Sequence, residues 1–367
     1  MTMNDADQQY MRRAIRLAMR AAGKTSPNPL VGCVIVKAGR VIAGGWHKVC
    51  GGDHAEVDAL KKAGARAKGA TMYVTLEPCA HWGRTPPCAE AVIAAGIKKL
   101  VVAMTDPNPL TNGKSLQKIR RAGIDVVSGV LADEARAMNR PFIKYITRKM
   151  PYAVAKTAQT IDGRIAARGG DSKWITSEVT RTFSKNRRNN VDAILAGVNT
   201  VLADDPCLCA PGKRIVKVIV DSTLRTPVRA RIFEGSLPGQ VVIATTPAAP
   251  SARRIALEKA GADILVCPAR QHQVDLKFLF KALARRKITS ILIEGGAAAI
   301  GSAFKAGLVD EWHVYIAPKI LGDQNARASV IGLDITRVAK AVTLKLEHTE
   351  PIGPDLFLSY KVVPPRL

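Results

Sequence analysis

His54, Glu56, Cys79 and Cys88 are the residues of this chain whose types and spacing could do chemistry. One imidazole and two thiolates suit Zn2+, and three such ligands leave a fourth tetrahedral position for a water that the metal acidifies toward neutral pH. Glu56, two residues after His54, is a carboxylate outside that ligand set. It fits a proton carrier, taking a proton from the water and delivering protons to a ring nitrogen and a departing amine, which is hydrolytic deamination of a pyrimidine or purine. Either half of the pattern alone reads more simply, as a capped helix start or as two small buried hydrophobes. Both halves together, each at a helix start, favour the metal site.

The elements that must position these residues are legible around them. Gly51-Gly52 breaks the chain and Asp53 is a candidate N-cap, which puts His54 and Glu56 in the first turn of a helix running to about Gly64. Cys79 follows the strand-like run 71–76. Cys88 opens a helix over 89–95, whose N-terminus favours thiolate. A helix from Tyr10 to about Ala22, a hairpin over 30–36 and 41–43, strands 100–104 and 124–127, and helices 114–122 and 133–146 complete the alternation. The pattern predicts an α/β sandwich, a mixed sheet between helix layers. Lys149-Met150-Pro151 is the expected boundary, with domains at 1–148 and 149–367.

The spacing of the two cysteines is more specific. Many nucleic-acid and nucleoside deaminases use Pro-Cys-x-x-Cys, whereas here eight residues, 80–87, separate Cys79 from Cys88. The run Leu76-Glu77-Pro78-Cys79-Ala80-His81-Trp82-Gly83-Arg84-Thr85-Pro86-Pro87-Cys88 resembles the deaminase half of the bifunctional riboflavin-biosynthesis deaminase/reductases. Pro27-Asn28-Pro29-Leu30-Val31-Gly32-Cys33 and Asp106-Pro107-Asn108-Pro109 are similar to two further signatures of that family. The resemblance implies a cytidine-deaminase-like fold with zinc on His54, Cys79 and Cys88, Glu56 catalytic, and Asn28, His47, Arg84, Thr85, Asp106 and Asn108 against the substrate's pyrimidine, ribose or phosphate. Asn28 and Asn108, each between prolines, are also good turn residues on steric grounds alone.

The second half is similar to the reductase domain of the same family, over 151 to about 363. Lys156-Thr157-Ala158-Gln159-Thr160-Ile161-Asp162-Gly163-Arg164, Ser172-Lys173-Trp174-Ile175-Thr176, the run from Gly197 to Pro206, Val218-Ile219-Val220-Asp221-Ser222 and Ile291-Leu292-Ile293-Glu294-Gly295-Gly296 match its signatures in order. A dihydrofolate-reductase-like α/β domain is implied, with Ala158, Trp174, Thr200, Asp204, Ser222, Gly296, Gly301 and Ser302 facing NADPH. Lys156, Ser172, Arg188, Leu208 and Glu294 would face the substrate. Trp174 and Leu208 could equally be core residues, and Arg188 one member of a basic run. Independently of any family, a buried strand delivering Gly295-Gly296, with Gly301-Ser302 beyond, lets backbone N–H groups approach a diphosphate at a helix start. No Gly-x-Gly-x-x-Gly fingerprint is present. The chain departs from the family where Gly113-Lys114-Ser115 stands for Gly-x-Gly, where Thr160 replaces Ser, and near Pro211, where an expected phosphate-binding Arg is missing and Lys213 or Arg214 could substitute.

Length and composition set the outer bounds. A chain of 367 residues divides into two or three units, and a hydrophobic fraction of 47% excludes general disorder. The residues from Met1 to Gln8 show no basic region before an apolar core, and no run of 18 apolar residues occurs, so a soluble cytoplasmic protein without membrane partners is expected. Seven scattered cysteines do not make a disulfide framework; Cys207-Leu208-Cys209 could be half of a second metal site, but no companion ligands accompany it. The formal charge of +25 raises a nucleic-acid-editing deaminase with an accessory domain as the alternative. The charge is spread evenly, with 24 Lys plus Arg against 11 Asp plus Glu in residues 1–150 and 31 against 19 beyond, and aromatics are only 5%. No basic arm or stacking platform results. An anionic small-molecule substrate would benefit from the positive field, though a general compositional bias explains the charge equally well; the resemblance implies that the substrate is a phosphoribosyl pyrimidine, and a homo-oligomer is expected.

Overall fold

The computed structural model describes residues 5–80, 87–109 and 111–363. The chain divides into two compact units, Met1–Met150 and Pro151–Leu367.

The first unit runs α1 (Asp5–Met19), β1 (Gly32–Lys37), β2 (Arg40–Trp46), α2 (Ala55–Ala63), β3 (Thr71–Leu76), α3 (Cys88–Ala94), β4 (Lys99–Met104), α4 (Lys114–Arg121), β5 (Asp125–Ser128), α5 (Ala132–Met138) and α6 (Arg140–Arg148). Its five strands lie in the order β2-β1-β3-β4-β5. β1 is antiparallel to both of its neighbours, and β3, β4 and β5 run parallel. Helices on both faces explain why β1, β3 and β4 are near-continuous apolar runs rather than alternating ones. Gly45 lets α2 come this close to β2: a Cβ there would lie 2.5 Å from both the Ala55 carbonyl oxygen and the Ala59 nitrogen.

Two local expectations are corrected. Asp53 does not cap α2; His54 itself occupies the N-cap position with an extended backbone and no side-chain cap, and the Asp53 carboxylate pairs with Lys61 at 2.6 Å. The single helix expected over 133–146 is two, α5 and α6. Pro141 lacks the N–H that would continue the turn, and the Asn139 side chain turns away to bond both backbone groups of Leu30, at 2.8 and 2.9 Å.

The second unit contains β6 (Tyr152–Thr160), β7 (Arg164–Ala166), α7 (Glu178–Arg187), β8 (Ala193–Gly197), α8 (Val198–Asp204), β9 (Val216–Val220), β10 (Val241–Thr245), α9 (Ser251–Lys259), β11 (Ala262–Val266), β12 (Ala269–Arg270), β13 (Gln273–Val274), α10 (Leu276–Arg285), β14 (Ser290–Gly295), α11 (Ala297–Lys305), β15 (Glu311–Ala317), β16 (Arg327–Ala328), β17 (Leu344–Ile352) and β18 (Asp355–Val362). Nine of these strands form one sheet in the order β11-β10-β9-β8-β14-β6-β15-β18-β17, parallel from β11 through β15 and closed by the antiparallel β18 and β17. β7 pairs with β16, and β12 with β13. Gly301, buried inside α11, is a packing glycine, since a Cβ there would lie 1.7 Å from the Ile331 carbonyl oxygen. Among the described residues no helix is long and apolar enough to cross a membrane.

Candidate functional site

In the first unit, ligand atoms of His54, Cys79 and Cys88 all lie within 4.8 Å of one another. His54 comes from the start of α2, Cys79 from the segment after β3, and Cys88 from the first turn of α3. His54 Nδ1 is 3.1 Å from Cys88 Sγ and 3.7 Å from Cys79 Sγ. The Cys88 backbone N–H donates to Cys79 Sγ at 3.2 Å, fixing the two sulfurs together. Hydrogen bonds from the Cys88 thiol and from His54 hold Cys79 as thiolate, down to about 4. That negative neighbour, with burial and Glu56, pushes Cys88 well up. The helix-start argument for a Cys88 thiolate is therefore outweighed in the free chain by repulsion from Cys79. A divalent cation resolves this conflict by stabilising two thiolates at once, so the donor set fits Zn2+.

Glu56 is only 3% exposed, in the first turn of α2 two residues after His54. Burial pushes its carboxyl up to about 7, which suits a group that both takes and gives a proton. His47 is buried against His54, its ring edge-on at 5.4 Å. Its Nδ1–H donates to the Asp53 carbonyl at 2.9 Å, which leaves Nε2 to accept from the Asn28 amide at 3.1 Å, and burial lowers its pKa. Asn28 and His47 are thus joined to each other. Asp106 is buried after β4 and accepts the Asn108 N–H at 2.9 Å. Arg84 and Thr85 lie outside the described residues.

Glu77 was not singled out from the sequence. It is 3% exposed, immediately before Pro78-Cys79, and its carboxylate accepts from the N–H groups of Asp106, Gly113 and Ser115 and from the Ser115 hydroxyl. Its place two residues before the candidate ligand Cys79 was the available signal; the donors came from a loop whose path the sequence does not reveal.

In the second unit a cleft of about 940 Å3 is lined by Thr200, Asp204, Ser222, Gly296 and Ser302 of the expected cofactor residues, together with Ser172. Ser172, expected on the substrate, therefore sits on the same wall as the cofactor set. Gly301, Ala158 and Trp174 do not line it. Ala158 packs with Phe183 against Tyr315 and Phe357, and Trp174 is 59% exposed with Arg181 stacked on its ring at 4.2 Å. Asp221 also lines the cleft, and sequence reasoning placed it only in a strand signature. One of its oxygens accepts from Thr226, while the other, Oδ1, is buried without a partner. Gly296 caps α11 with a bare backbone N-terminus. Open N–H groups at a helix start fit a dinucleotide's diphosphate.

Arg188 and Glu294 form a bidentate pair at 2.8 and 2.6 Å, and Arg188 also donates to the Cys209 carbonyl at 2.8 Å. The register of β14 against β6, Ile293 beside Ala155, brings Glu294 next to Lys156. Burial lowers the pKa of Lys156, which the Glu294 carboxylate partly restores, and hydrogen bonding from Arg188 holds Glu294 low against its own burial. These three expected substrate residues are gathered together. Leu208 is not among them: its side chain is 2% exposed within the apolar core around β8 and β9. Lys213 is drawn toward Asp192, at 3.9 Å, and Arg214 is exposed. Among the described residues, the metal-ligating side chains that group together are His54, Cys79 and Cys88, and Cys207 and Cys209 join no such group.

Comparison with known proteins agrees with both halves. Residues 4–104 match the cytidine and deoxycytidylate deaminase zinc-binding region, and residues 151–358 match the RibD C-terminal domain. The riboflavin biosynthesis protein RibD of Actinobacillus pleuropneumoniae is 45% identical over 99% of this chain and 97% of that protein, and RibD of Escherichia coli is 40% identical over 96% and 98%. Among solved structures, Acinetobacter baumannii RibD superposes with a TM-score of 0.86 at 38% identity, covering 98% of this chain and 99% of that one. A diaminohydroxyphosphoribosylaminopyrimidine deaminase/5-amino-6-(5-phosphoribosylamino)uracil reductase from Thermotoga maritima gives 0.84 at 33% identity, with the same coverage. With relatives of this identity along nearly its whole length and both activities' domains in order, the chain belongs to the RibD family, bifunctional enzymes of riboflavin biosynthesis that pair a zinc-dependent deaminase with an NADPH-dependent reductase.

Proposed function

We propose that residues 1–148 deaminate 2,5-diamino-6-ribosylamino-4(3H)-pyrimidinone 5′-phosphate and that residues 149–367 reduce the ribosyl group of the resulting aminouracil to a ribityl chain. The convergence of His54, Cys79 and Cys88 beside a buried Glu56 carries the first assignment. In it, His54, Cys79 and Cys88 hold zinc. When bound, zinc supplies an acidified water as nucleophile. Glu56 accepts the proton released there and returns protons to the ring nitrogen and the leaving amine. Asn28, held by His47, and the Asp106-Asn108 turn orient the pyrimidine and its phosphoribosyl part, with Arg84 and Thr85 assigned to the same task by resemblance.

In the second unit the cleft wall of Thr200, Asp204, Ser222, Gly296 and Ser302 would hold NADPH. When bound, NADPH would supply the hydride for reduction at C1′, the accompanying proton going to the attached nitrogen. Lys156, Arg188 and Glu294 bind and orient the sugar phosphate, and the fixed Arg188–Glu294 pair leaves Lys156 as the cation of the three without a bidentate partner. The same reading extends to a homo-oligomer located in the cytoplasm.

Incubating the purified protein with the diaminopyrimidinone phosphate, with and without NADPH, tests the whole scheme by product mass. Ammonia and the aminouracil are expected without NADPH, and the ribityl product only with it. A single product under both conditions would overturn the assignment of two chemistries.

A narrower expectation concerns Gly296. A side chain at 296 starts 3.2 Å from Thr200 Oγ1 and stands where backbone must approach the diphosphate. Gly296→Val is expected to weaken NADPH binding by on the order of 10²-fold, as lost direct contact with a charged group does, while ammonia release continues. Fluorescence titration showing parental NADPH affinity would remove this loop from the cofactor site.

A further inference from the structure

We infer that Glu77 is a positioning residue of the deaminase site, tying the metal-ligand segment to the loop that orients the substrate; this rests on the deaminase reading given above. Glu77 is the residue between β3 and Pro78-Cys79, and its own backbone N–H donates to the Met104 carbonyl at 3.0 Å, carrying the β3–β4 pairing one step past the end of β3. From there its side chain reaches the loop that follows β4. Oε2 accepts from Asp106 N–H at 3.1 Å and Gly113 N–H at 2.8 Å, and Oε1 from Ser115 N–H at 3.2 Å and Ser115 Oγ–H at 2.7 Å. A carboxylate is an acceptor only, with two oxygens able to take several donors, and these four use both of them.

All four donors belong to the segment 106–115, which carries Asp106 and Asn108. Asp106 in turn accepts the Asn108 N–H, so the conformation of both residues is referred to Glu77. Glu77 is also one peptide from Pro78 and two residues from Cys79. A single buried group therefore fixes the distance between the metal ligands after β3 and the substrate loop after β4. Ser115 adds a chain-specific element. It is fully buried, and its hydroxyl supplies a donor that glycine at this position lacks.

An amide at 77 would turn an NH2 toward N–H donors, leaving buried donors unpaired and the loop displaced. A displacement of about 1 Å away from the reacting atoms can cost on the order of 10²-fold. The experiment uses the full-length zinc-loaded protein and measures KM and kcat for ammonia release from the diaminopyrimidinone phosphate, zinc by elemental analysis, and thermal midpoint. Glu77→Gln is expected to raise KM by about 10- to 10²-fold with zinc at the parental level and kcat changed much less. Ser115→Ala, which removes one bond and leaves the carboxylate in place, is expected to raise KM about fivefold, the equivalent of one hydrogen bond. Parental KM in both variants, with only a lowered thermal midpoint, would show a merely structural anchor and overturn the inference. Loss of zinc from Ser115→Ala would overturn it as well, since Glu77 would then act on the metal site. Absence of ammonia release from the parent protein would overturn the deaminase reading and this inference with it.

Discussion

Glu56→Ala is expected to retain its zinc and to lose deamination by on the order of 10² to 10⁴ or more, the usual worth of a positioned acid/base. Glu56 lies in the first turn of α2 with almost no exposure, and none of the clustered ligand atoms is its own. Removing its carboxyl therefore leaves the imidazole and both sulfurs where they are. What disappears is the one carboxyl at the cluster that burial poises near neutrality. Reduction of the already deaminated aminouracil phosphate should continue, because Lys156, Arg188, Glu294 and the cleft residues all belong to the other unit. Ammonia release and NADPH oxidation are to be measured separately on the two substrates. Deamination at the parental rate would make Glu56 an ordinary helix-start residue, and loss of both reactions would contradict two independent sites.

Cys88→Ser has the opposite signature. Cys88 is fully buried, with His54 Nδ1 at 3.1 Å and its own backbone N–H directed at Cys79 Sγ. A serine hydroxyl keeps its proton at neutral pH and is a poor ligand for zinc, so the site falls to two strong donors. Zinc is expected to leave and deamination to fall below detection, in contrast with the metal-replete Glu56→Ala. Undiminished zinc by elemental analysis would show that the ligands are others. Changing Cys207 and Cys209 together to Ser should leave the metal content unaltered, since both belong to the second unit and join no group of metal-ligating side chains among the described residues.

The parts of the structure that were legible in the sequence are those in which a residue's chemistry and its chain neighbours decide its place. Strand β3 spans the expected residues, and the three ligands converge because each sits at a helix start or directly after a strand. Thr200, Ser222 and Gly296 fall on one cleft for the same reason, at the ends of parallel strands or the starts of the helices that follow them. What escaped was decided by long-range partners. Asp53 looks like a cap until Lys61 draws its carboxylate off, and the helix over 133–146 looks continuous until Leu30 claims the Asn139 side chain. Leu208 and Gly301 carry motif positions, yet one is spent on apolar packing and the other on clearance for a carbonyl. Glu77 needed a loop thirty residues away to reveal its function.

Gly45 has the plainest chemistry of any residue near the metal cluster, and it is where the backbone of α2 rests on the sheet. Because α2 is seated by backbone touching backbone, its N-terminal residues His54 and Glu56 are carried on one element and share a single reference height. The height of His54 and Glu56 above the sheet is thereby set at Gly45 rather than on the solvent side of the helix. Any side chain at position 45 would have to lift the start of α2, and with it the imidazole and the carboxyl together.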